Sequence, residues 1–357
     1  LRRSSAASDV YKRQVVNSNV TATTASFNLS HANDALRKSL ARLSSGKRIV
    51  NPADDAGGMA VAYKLQSKLK RTEAVRQNIQ NGISYLQVQD GALNVMGKIL
   101  DRMSELRTMA QDVTKNTSDV ENYSKEFLEL QRQLSQTYRE KFNGVSLFSV
   151  SGAPLVNNPL RPQLNKSTTV SDEGVTVTIF SRTVYTNPSG QAADGNVSVG
   201  VINLQNLFRI DGGFDTRYAP DFNGNANISS SSNLVSLANL GNVAGVNSQF
   251  SAHTSIFTSD GFISSILFVS VGQFTTAIER LADARAENGA EQARLGMTNE
   301  LLIQNQTNLE AAYGRIMDAD IALESTRFAR QNVLVQSSAA MVAQANQLTS
   351  IALTILG

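Results

Sequence analysis

The stretch LADARAENGAEQARLGMTNELLIQNQTNLEAAYGRIMDADIAL, residues 281–323, decides the fold, because an apolar side chain returns in it at almost every seventh position. The positions of this repeat hold Leu281, Asn288, Leu295, Leu302, Leu309, Ile316 and Leu323. A seven-residue repeat keeps its side chains on one narrow stripe of an α-helix, which a partner helix buries better than a broad globular core does. The polar residue Asn288 is expected to fix the register of the paired helices, unless it lies in a frayed end or a loop.

A second stripe with the same spacing lies at residues 79–100, IQNGISYLQVQDGALNVMGKIL. Its positions hold Ile79, Leu86, Leu93 and Leu100. Two stripes near opposite ends of one chain can bury each other, so we predict a rod in which the N- and C-terminal helices pair as a coiled coil. The expected seam of this rod contains those four residues together with Leu295, Leu302, Leu309 and Ile316.

Turn-forming residues predict where the helices begin and end. Apolar spacing predicts a helix over residues 27–43, and Gly46 after it can take the left-handed conformation that ends a helix. The sequence NPADD at 51–55 predicts a turn and a restart, in which an aspartate accepts from the free amides of the next helix. That helix is expected to run from 56 to about 110, which would span roughly 80 Å. A further helix is predicted over about 120–141.

The composition of the chain changes after residue 150. Apolar residues alternate with polar ones over 175–179 and again over 196–201, a pattern typical of strands. Prolines are frequent between Pro154 and Pro188, whereas none occurs from Phe274 onward. We therefore predict a mainly α-helical protein with a β-rich insert, a surface-exposed strand-and-loop domain at 151–269.

The net charge gives no argument for a nucleic-acid or membrane partner. The chain has 357 residues and a net charge of +3, from 33 basic and 30 acidic side chains. Residues 1–14 hold four of the basic and one of the acidic side chains, so 29 of each remain beyond them. The segment 4–14 looks like a translated sequencing-library adaptor, so we expect residues 1–14 to be an artefact and the native start to lie near Val15.

Few side chains suit catalysis or metal binding. The chain has no cysteine, and neither His31 nor His253 belongs to a His-Glu-x-x-His motif. The pairs Asp54-Asp55 and Asp318-x-Asp320 could bind a cation, yet both lie at expected helix starts or breaks, where capping favours carboxylates anyway. We therefore expect no enzyme activity and no cofactor.

The C-terminal end is unusually apolar. Residues 339–356 are rich in alanine, leucine and isoleucine, and no charged residue follows Arg330. Such an end is buried within the monomer or packs against copies of itself. Because residues 15–43 are amphipathic as well, we predict self-assembly through both termini. The expected assembly residues are Asn17, Leu36, Leu40, Leu43, Met341, Ala345, Leu348 and Leu353.

Motifs at both ends of the chain resemble those of the bacterial flagellin family. Near the N-terminus they are VVNSN at 15–19, RLSSGKRI at 42–49, ADDAGG at 53–58 and FNGV at 142–145. Near the C-terminus they are RIMDAD at 315–320 and MVAQANQ at 341–347. The order of these motifs is that of the family, and residues 150–270 carry none of them.

The resemblance implies a structural subunit of the flagellar filament, which polymerises into an open helical assembly for motility. It implies filament-core helices at 15–54 and 320–357, a helical rod at 55–150 and 270–319, and a variable outer domain at 151–269. In the family the terminal segments are disordered in the free subunit and fold on assembly. Export would go unfolded through the flagellar secretion apparatus, with an export chaperone and without a cleaved signal peptide. Filament cap and hook-filament junction proteins are further implied partners of the extracellular filament.

The resemblance also implies contact with a flagellin-sensing Toll-like receptor. The sequence LDRMSEL at 100–106 resembles the receptor-contacting helix, with Arg102 and Leu106 at matching positions, and Glu129 matches the acidic partner. Ser104 and Arg107 depart from the commonest pattern of the family. From spacing alone, Arg102, Arg107 and Arg132 are expected on exposed helix faces.

Two other functions are compatible with these motifs. A hook-filament junction protein shares the LSSG type of motif, although the apolar end through Leu356 favours the filament subunit. Alternatively, the middle domain could add adhesive or hydrolase activity to a filament subunit. The missing His-Glu-x-x-His sequence argues against a hydrolase of the zinc-peptidase kind.

Overall fold

The computed structural model of the chain is mainly α-helical, with a small strand-containing region in the middle of the sequence. It describes residues 19–149, 165–170, 176–191, 195–210, 237, 258 and 261–356, so the expected artefact at 1–14 lies outside the described residues. Contacts divide the chain into two compact units. The central unit is Arg71–Asn305, and the terminal unit joins residues up to Lys70 to those from Gln306 onward.

The described helices and strands follow one another along the chain in this order. The helices are α1 Val20–Ser45, α2 Ala56–Ala110, α3 Thr117–Thr137, α4 Leu204–Leu207, α5 Val271–Met317 and α6 Ile321–Leu356. The strands are β1 Lys141–Phe142, β2 Val145–Ser146, β3 Phe148–Ser149, β4 Asn165–Val170, β5 Thr176–Tyr185 and β6 Asn196–Asn203. The predicted class, mainly α-helical with terminal helices and a strand-bearing middle region, is confirmed.

In the terminal unit, α1 and α6 pack side by side, and their Cα atoms come within 8 Å of each other. At one end the Asn19 side chain donates to the Ala345 carbonyl oxygen over 2.8 Å. At the other end Arg42 lies 3.8 Å from the Glu324 carboxylate. Because Asn19 precedes Arg42 whereas Ala345 follows Glu324, the two helices run antiparallel.

Short turns end and restart the helices of the terminal unit. Gly46 follows α1 in the left-handed conformation, with φ of 66°, as its sequence position predicts. Asp55 accepts a hydrogen bond from the Gly58 amide over 2.8 Å, and Asp320 accepts one from the Leu323 amide over 3.0 Å. These bonds satisfy amides at the first turns of α2 and α6, so both carboxylates act as helix caps.

In the central unit, α2, α3 and α5 contribute to one hydrophobic core. Its seam residues from α2 and α5, all buried, are Ile79, Leu86, Leu93, Leu100, Leu281, Leu295 and Leu302. Phe127 and Leu134 of α3 are fully buried in the same core. A capping box starts α3: the Asn116 side chain accepts from the Asp119 amide, and the Asp119 carboxylate accepts from the Asn116 amide.

The strands of the central unit form a hairpin and a four-stranded sheet. Strands β1 and β2 pair around Asn143 and Gly144, both with positive φ, a conformation that Asn-Gly turns favour. In the sheet, the strand order is β3-β6-β5-β4. Only β3 and β6 are parallel in this sheet, and β6 also pairs antiparallel with β5.

Three sequence expectations about the helices were inaccurate. Helix α3 covers Thr117–Thr137 rather than 120–141, because the capping box starts it and Lys141 belongs to the hairpin. Helix α1 covers Val20–Ser45 rather than 27–43, because the Asn19 side chain caps it and accepts from the Ala22 amide. Leu323 is 51% exposed, because the break between α5 and α6 ends the seven-residue repeat before it.

Candidate functional site

The terminal helix pair carries many large apolar side chains that face solvent. They are Val20, Phe27 and Leu40 on α1, and Ile321, Leu323, Val333, Leu334 and Met341 on α6. Each of them is more than two-fifths exposed, and Val20 reaches 70%. A two-helix pair has too few neighbours to bury an all-round apolar surface, and an exposed apolar surface of this kind marks a site of protein–protein contact.

The predicted assembly residues occupy different environments in this pair. Leu40 and Met341 are exposed, whereas Leu36 and Leu43 are half-buried. Ala345 is buried, and its carbonyl accepts from Asn19. Asn17 lies outside the described residues, and so do the side chains of Leu348 and Leu353.

Ion pairs hold the ends of the terminal helices in place. The Glu324 side chain is only 6% exposed and lies between Arg42 and Arg327, the latter at 3.3 Å. Lys38 lies 2.7 Å from Asp54, and this hydrogen bond lowers the pKa of the Asp54 carboxyl below its ordinary value. Spacing alone does not reveal the Arg42–Glu324 and Lys38–Asp54 pairs, since the members of each lie on different segments of the chain.

Two predicted seam residues, Leu309 and Ile316, belong to the terminal unit and are half-buried. Ile316 packs with Tyr313 against a small core of Ile49, Ala62 and Met317. The Ile316 carbonyl also accepts from the Arg48 guanidinium over 2.8 Å. The C-terminal end of the predicted seam, at Ile316, therefore packs against the turn after α1.

Asn288 is buried in the seam of the central unit, with 2% of its surface exposed. Its side-chain amide donates to the Gln89 side chain over 2.7 Å and to the Leu86 carbonyl over 3.3 Å. Gln292 donates to the Asn288 oxygen. A buried amide with all these partners fixes the register of α2 against α5, which is the role expected of a polar residue in a helical seam.

A polar anchor attaches the strands to these helices, and the sequence did not predict it. We use "the anchor" for Tyr85, Gln89 and Glu291 with their strand partners. Gln89 donates to the Leu147 carbonyl over 2.7 Å, and the Tyr85 hydroxyl donates to the carbonyl of Ser146 over 3.0 Å. Both carboxylate oxygens of Glu291 accept from the amide of Gly200 in β6, each over 3.0 Å.

Burial perturbs the ionisable members of the anchor. It raises the pKa of the Glu291 carboxyl from 4.5 to about 7, although the hydrogen bond from the Gly200 amide opposes this change. Burial also raises the pKa of the Tyr85 phenol. A Cβ at position 200 would lie 3.3 Å from a Glu291 oxygen, so this close approach favours glycine there.

The predicted receptor-contacting residues are not all accessible. Arg102 lines an open groove of about 680 Å³ and forms a salt bridge of 2.7 Å with Glu126. Leu106 is fully buried in the core, so its side chain does not face a partner. Glu129 bonds to Arg132 on its own helix, and the acidic partners that Arg102 contacts are Glu105 and Glu126.

The expectation that Arg107 is exposed was wrong. Arg107 is fully buried and donates to the Val269 carbonyl, with the Leu267 carbonyl 3.5 Å away. Its guanidinium therefore holds the segment that leads into α5.

Over the described residues no group of three or more His, Asp or Glu side chains could hold a metal ion. Within the same ranges, no helix is both long enough and apolar enough to cross a membrane.

Two family models match this chain at its ends. The model of the bacterial flagellin N-terminal helical region matches residues 16–153, and that of the C-terminal helical region matches residues 271–355. The chain belongs to the bacterial flagellin family. The two matched regions contain the terminal helices and the α2–α3–α5 core of this flagellin.

Its relatives match along nearly their whole length. Polar flagellin F of Vibrio parahaemolyticus is 29% identical over 380 residues, which covers 96% of this chain and 99% of the relative. Flagellin of Bacillus subtilis is 29% identical, and the match covers 93% of this chain and 96% of the relative. The flagellar filament 41 kDa core protein of Borreliella burgdorferi is 27% identical, and the match covers 96% of this chain and 99% of the relative. The predicted identity, a structural subunit of the flagellar filament, is confirmed, and flagellins are not a family of enzymes.

Proposed function

We propose that this flagellin polymerises through the exposed apolar side chains of its terminal helix pair. The observation that carries this proposal is the combination of an ordered antiparallel pair with large hydrophobic residues outside it, such as Phe27 and Met341, both 63% exposed. Full burial of each such side chain stabilises an interface by about 1.5–3 kcal/mol. Several of them on every subunit provide enough free energy to hold subunits in a polymer.

The predicted assembly residues divide into two roles under this proposal. Leu40 and Met341, which are exposed, contact neighbouring subunits, whereas Ala345 holds α6 against α1 within the subunit. The seam residues of α2 and α5 give the central unit its rigidity, because close-packed cores deform little. The division into filament core at 15–54 and 320–357, helical rod and outer domain at 151–269 is part of the same proposal.

We also propose the steps that surround assembly. The subunit leaves the cell unfolded through the flagellar secretion apparatus, with an export chaperone. It then contacts the hook-filament junction protein, the filament cap and other flagellin subunits in the extracellular filament, and it has no catalytic activity. Recognition by a Toll-like receptor rests on Arg102 and Glu129, whose side chains are 44% and 68% exposed.

Seeded polymerisation tests the proposal. Monomers of the full chain are added to short filament fragments, and growth is measured by electron microscopy and by sedimentation. We expect the full chain to elongate the seeds and a chain lacking residues 339–357 to fail. Elongation by the truncated chain would remove α6 from the assembly surface.

Single substitutions make the same test without removing a helix. Met341→Gln is expected to raise the critical concentration for polymerisation by about tenfold, which corresponds to about 1.4 kcal/mol. Val113→Gln is the matched control, since Val113 is 98% exposed but lies in the central unit. Equal effects of the two changes would contradict a surface confined to the terminal helices.

A further inference from the structure

Two sets of exposed residues on the terminal helices share one spacing. On α1 the set is Val20, Phe27 and Asp34, and on α6 it is Arg327, Leu334 and Met341. We call them the α1 stripe and the α6 stripe. Residues seven apart lie about two turns apart on the same side of a helix, so each set forms a stripe along its helix. All six residues are exposed.

The chemistry of the two stripes matches when they run in opposite directions. An antiparallel alignment places Val20 beside Met341 and Phe27 beside Leu334, which are apolar pairs. The same alignment places Asp34 beside Arg327, which is a pair of opposite charges. A parallel alignment would instead place Val20 beside Arg327 and Asp34 beside Met341. The antiparallel match therefore leaves no charge against an apolar residue.

The contact within one subunit does not use the α1 stripe. The buried residues of α1 are Ala32 and Ser39, which follow Phe27 by five and twelve residues and so lie well round the helix from it at 3.6 residues per turn. Phe27 packs edge-on against His31 on its own helix, with ring centroids 4.6 Å apart, and stays 63% exposed. The stripe is therefore available to a second molecule.

Arg327 can take a second carboxylate. Its Nη1 atom lies 3.3 Å from Glu324 on its own helix, yet its side chain is 53% exposed. A guanidinium carries five N–H donors in a planar fork, so one further carboxylate can bind at its open side. Asp34 is exposed and supplies that group in the alignment described above.

We propose that the α1 stripe of one subunit packs antiparallel on the α6 stripe of a second copy of this chain, with Asp34 of one copy bound to Arg327 of the other. This contact specifies the partner surface within the proposed polymerisation and rests on it. The two surfaces differ, so the contact is head-to-tail: each subunit that joins presents a fresh copy of the first surface. Such contacts continue into an open helical polymer when the rotation between subunits does not close a ring.

Charge reversal in full-length chains tests this contact. Asp34→Arg alone sets two arginines against each other, and Arg327→Asp alone sets two aspartates against each other. We expect each variant alone to show a critical concentration at least about tenfold above that of the unaltered chain. An equimolar mixture of the two variants restores polymerisation, because their subunits can alternate with an opposite-charge pair at every contact. The chain with both substitutions also polymerises.

The mixture separates a contact between subunits from one within a subunit, because mixing cannot repair a fault inside each chain. Arg330→Asp is the matched control: Arg330 is exposed on the same helix but off the stripe, and its mixture with Asp34→Arg is expected to stay deficient. Polymerisation of either single variant at the normal concentration would overturn the proposal, as would failure of the mixture while the double variant polymerises. If the unaltered chain itself failed to elongate seeds, that result would contradict the proposed polymerisation and not this contact alone.

Discussion

Glu291 makes the stability of the central unit depend on pH. The perturbation is a change from pH 5 to pH 8, applied to the unaltered chain and to Glu291→Gln. In the folded chain the pKa of Glu291 is about 7, because the carboxyl is partly buried beside Gly200, against an ordinary value of 4.5. The folded state therefore holds this proton more tightly than the unfolded state does.

The sign and the size follow from this difference. Since the folded pKa is the higher one, the contribution of Glu291 is fully present below pH 4.5 and is lost as the pH rises through 7. The gap of about 2.5 between the two pKa values would correspond to about 3.4 kcal/mol at 1.36 kcal/mol for each pH unit. Solvent screening of this partly exposed group reduces it, so we expect about 1–2 kcal/mol.

Urea unfolding measures this loss. We expect the free energy of unfolding, followed by far-UV circular dichroism, to fall by that amount in the unaltered chain between pH 5 and pH 8. Glu291→Gln cannot ionise and should lose less, so the variant should be the more stable chain at pH 8. Glu300→Gln, on the exposed face of the same helix, is the control. If Glu291→Gln and the control showed the same pH dependence as the unaltered chain, burial of Glu291 would not govern it.

Three further changes test individual features of the fold. Leu93→Ala should lower the free energy of unfolding by about 2–5 kcal/mol because Leu93 is fully buried, whereas Val95→Ala, at a 42% exposed position, should cost under about 1 kcal/mol in the same urea titration. Asn116→Ala removes the capping box of α3 and should lower the Tm, at a cost of about 1 kcal/mol. Gly144→Ala should lower the Tm because φ is +76°, while Gly91→Ala, within α2 and with nothing within 4 Å of its Cβ, should raise it; changes of equal sign would refute this backbone argument.

The sequence predicts the features that depend on local chemistry. Seven-residue spacing identified the buried stripes of α2 and α5. Helix ends at Gly46 and Asp55 were predicted because capping involves residues only a few positions apart. Long-range polar contacts were not predictable in this way. Arg107 has the same spacing as a solvated arginine, and carbonyl groups of Leu267 and Val269, from another part of the chain, help to satisfy its buried guanidinium.

The sequence predicts the candidate assembly surface only in part. An apolar C-terminal end indicated a contact surface, and Met341 is indeed exposed. Periodicity did not distinguish Ala345, which is buried, from Met341, which is exposed, because both residues are apolar. Which apolar face of α6 meets α1 depends on the ion pair and hydrogen bond at the two ends of the pair.

The anchor has a consequence for how the middle of the chain can change. Tyr85, Gln89 and Glu291 bind main-chain atoms of Ser146, Leu147 and Gly200, and every residue except proline offers the same amide and carbonyl groups. Apart from the need for a small residue at 200, the helices impose little on the identity of the residues attached there. The residues of the strand region can therefore be varied, or a peptide inserted among them, while the helices that hold this region are left unaltered.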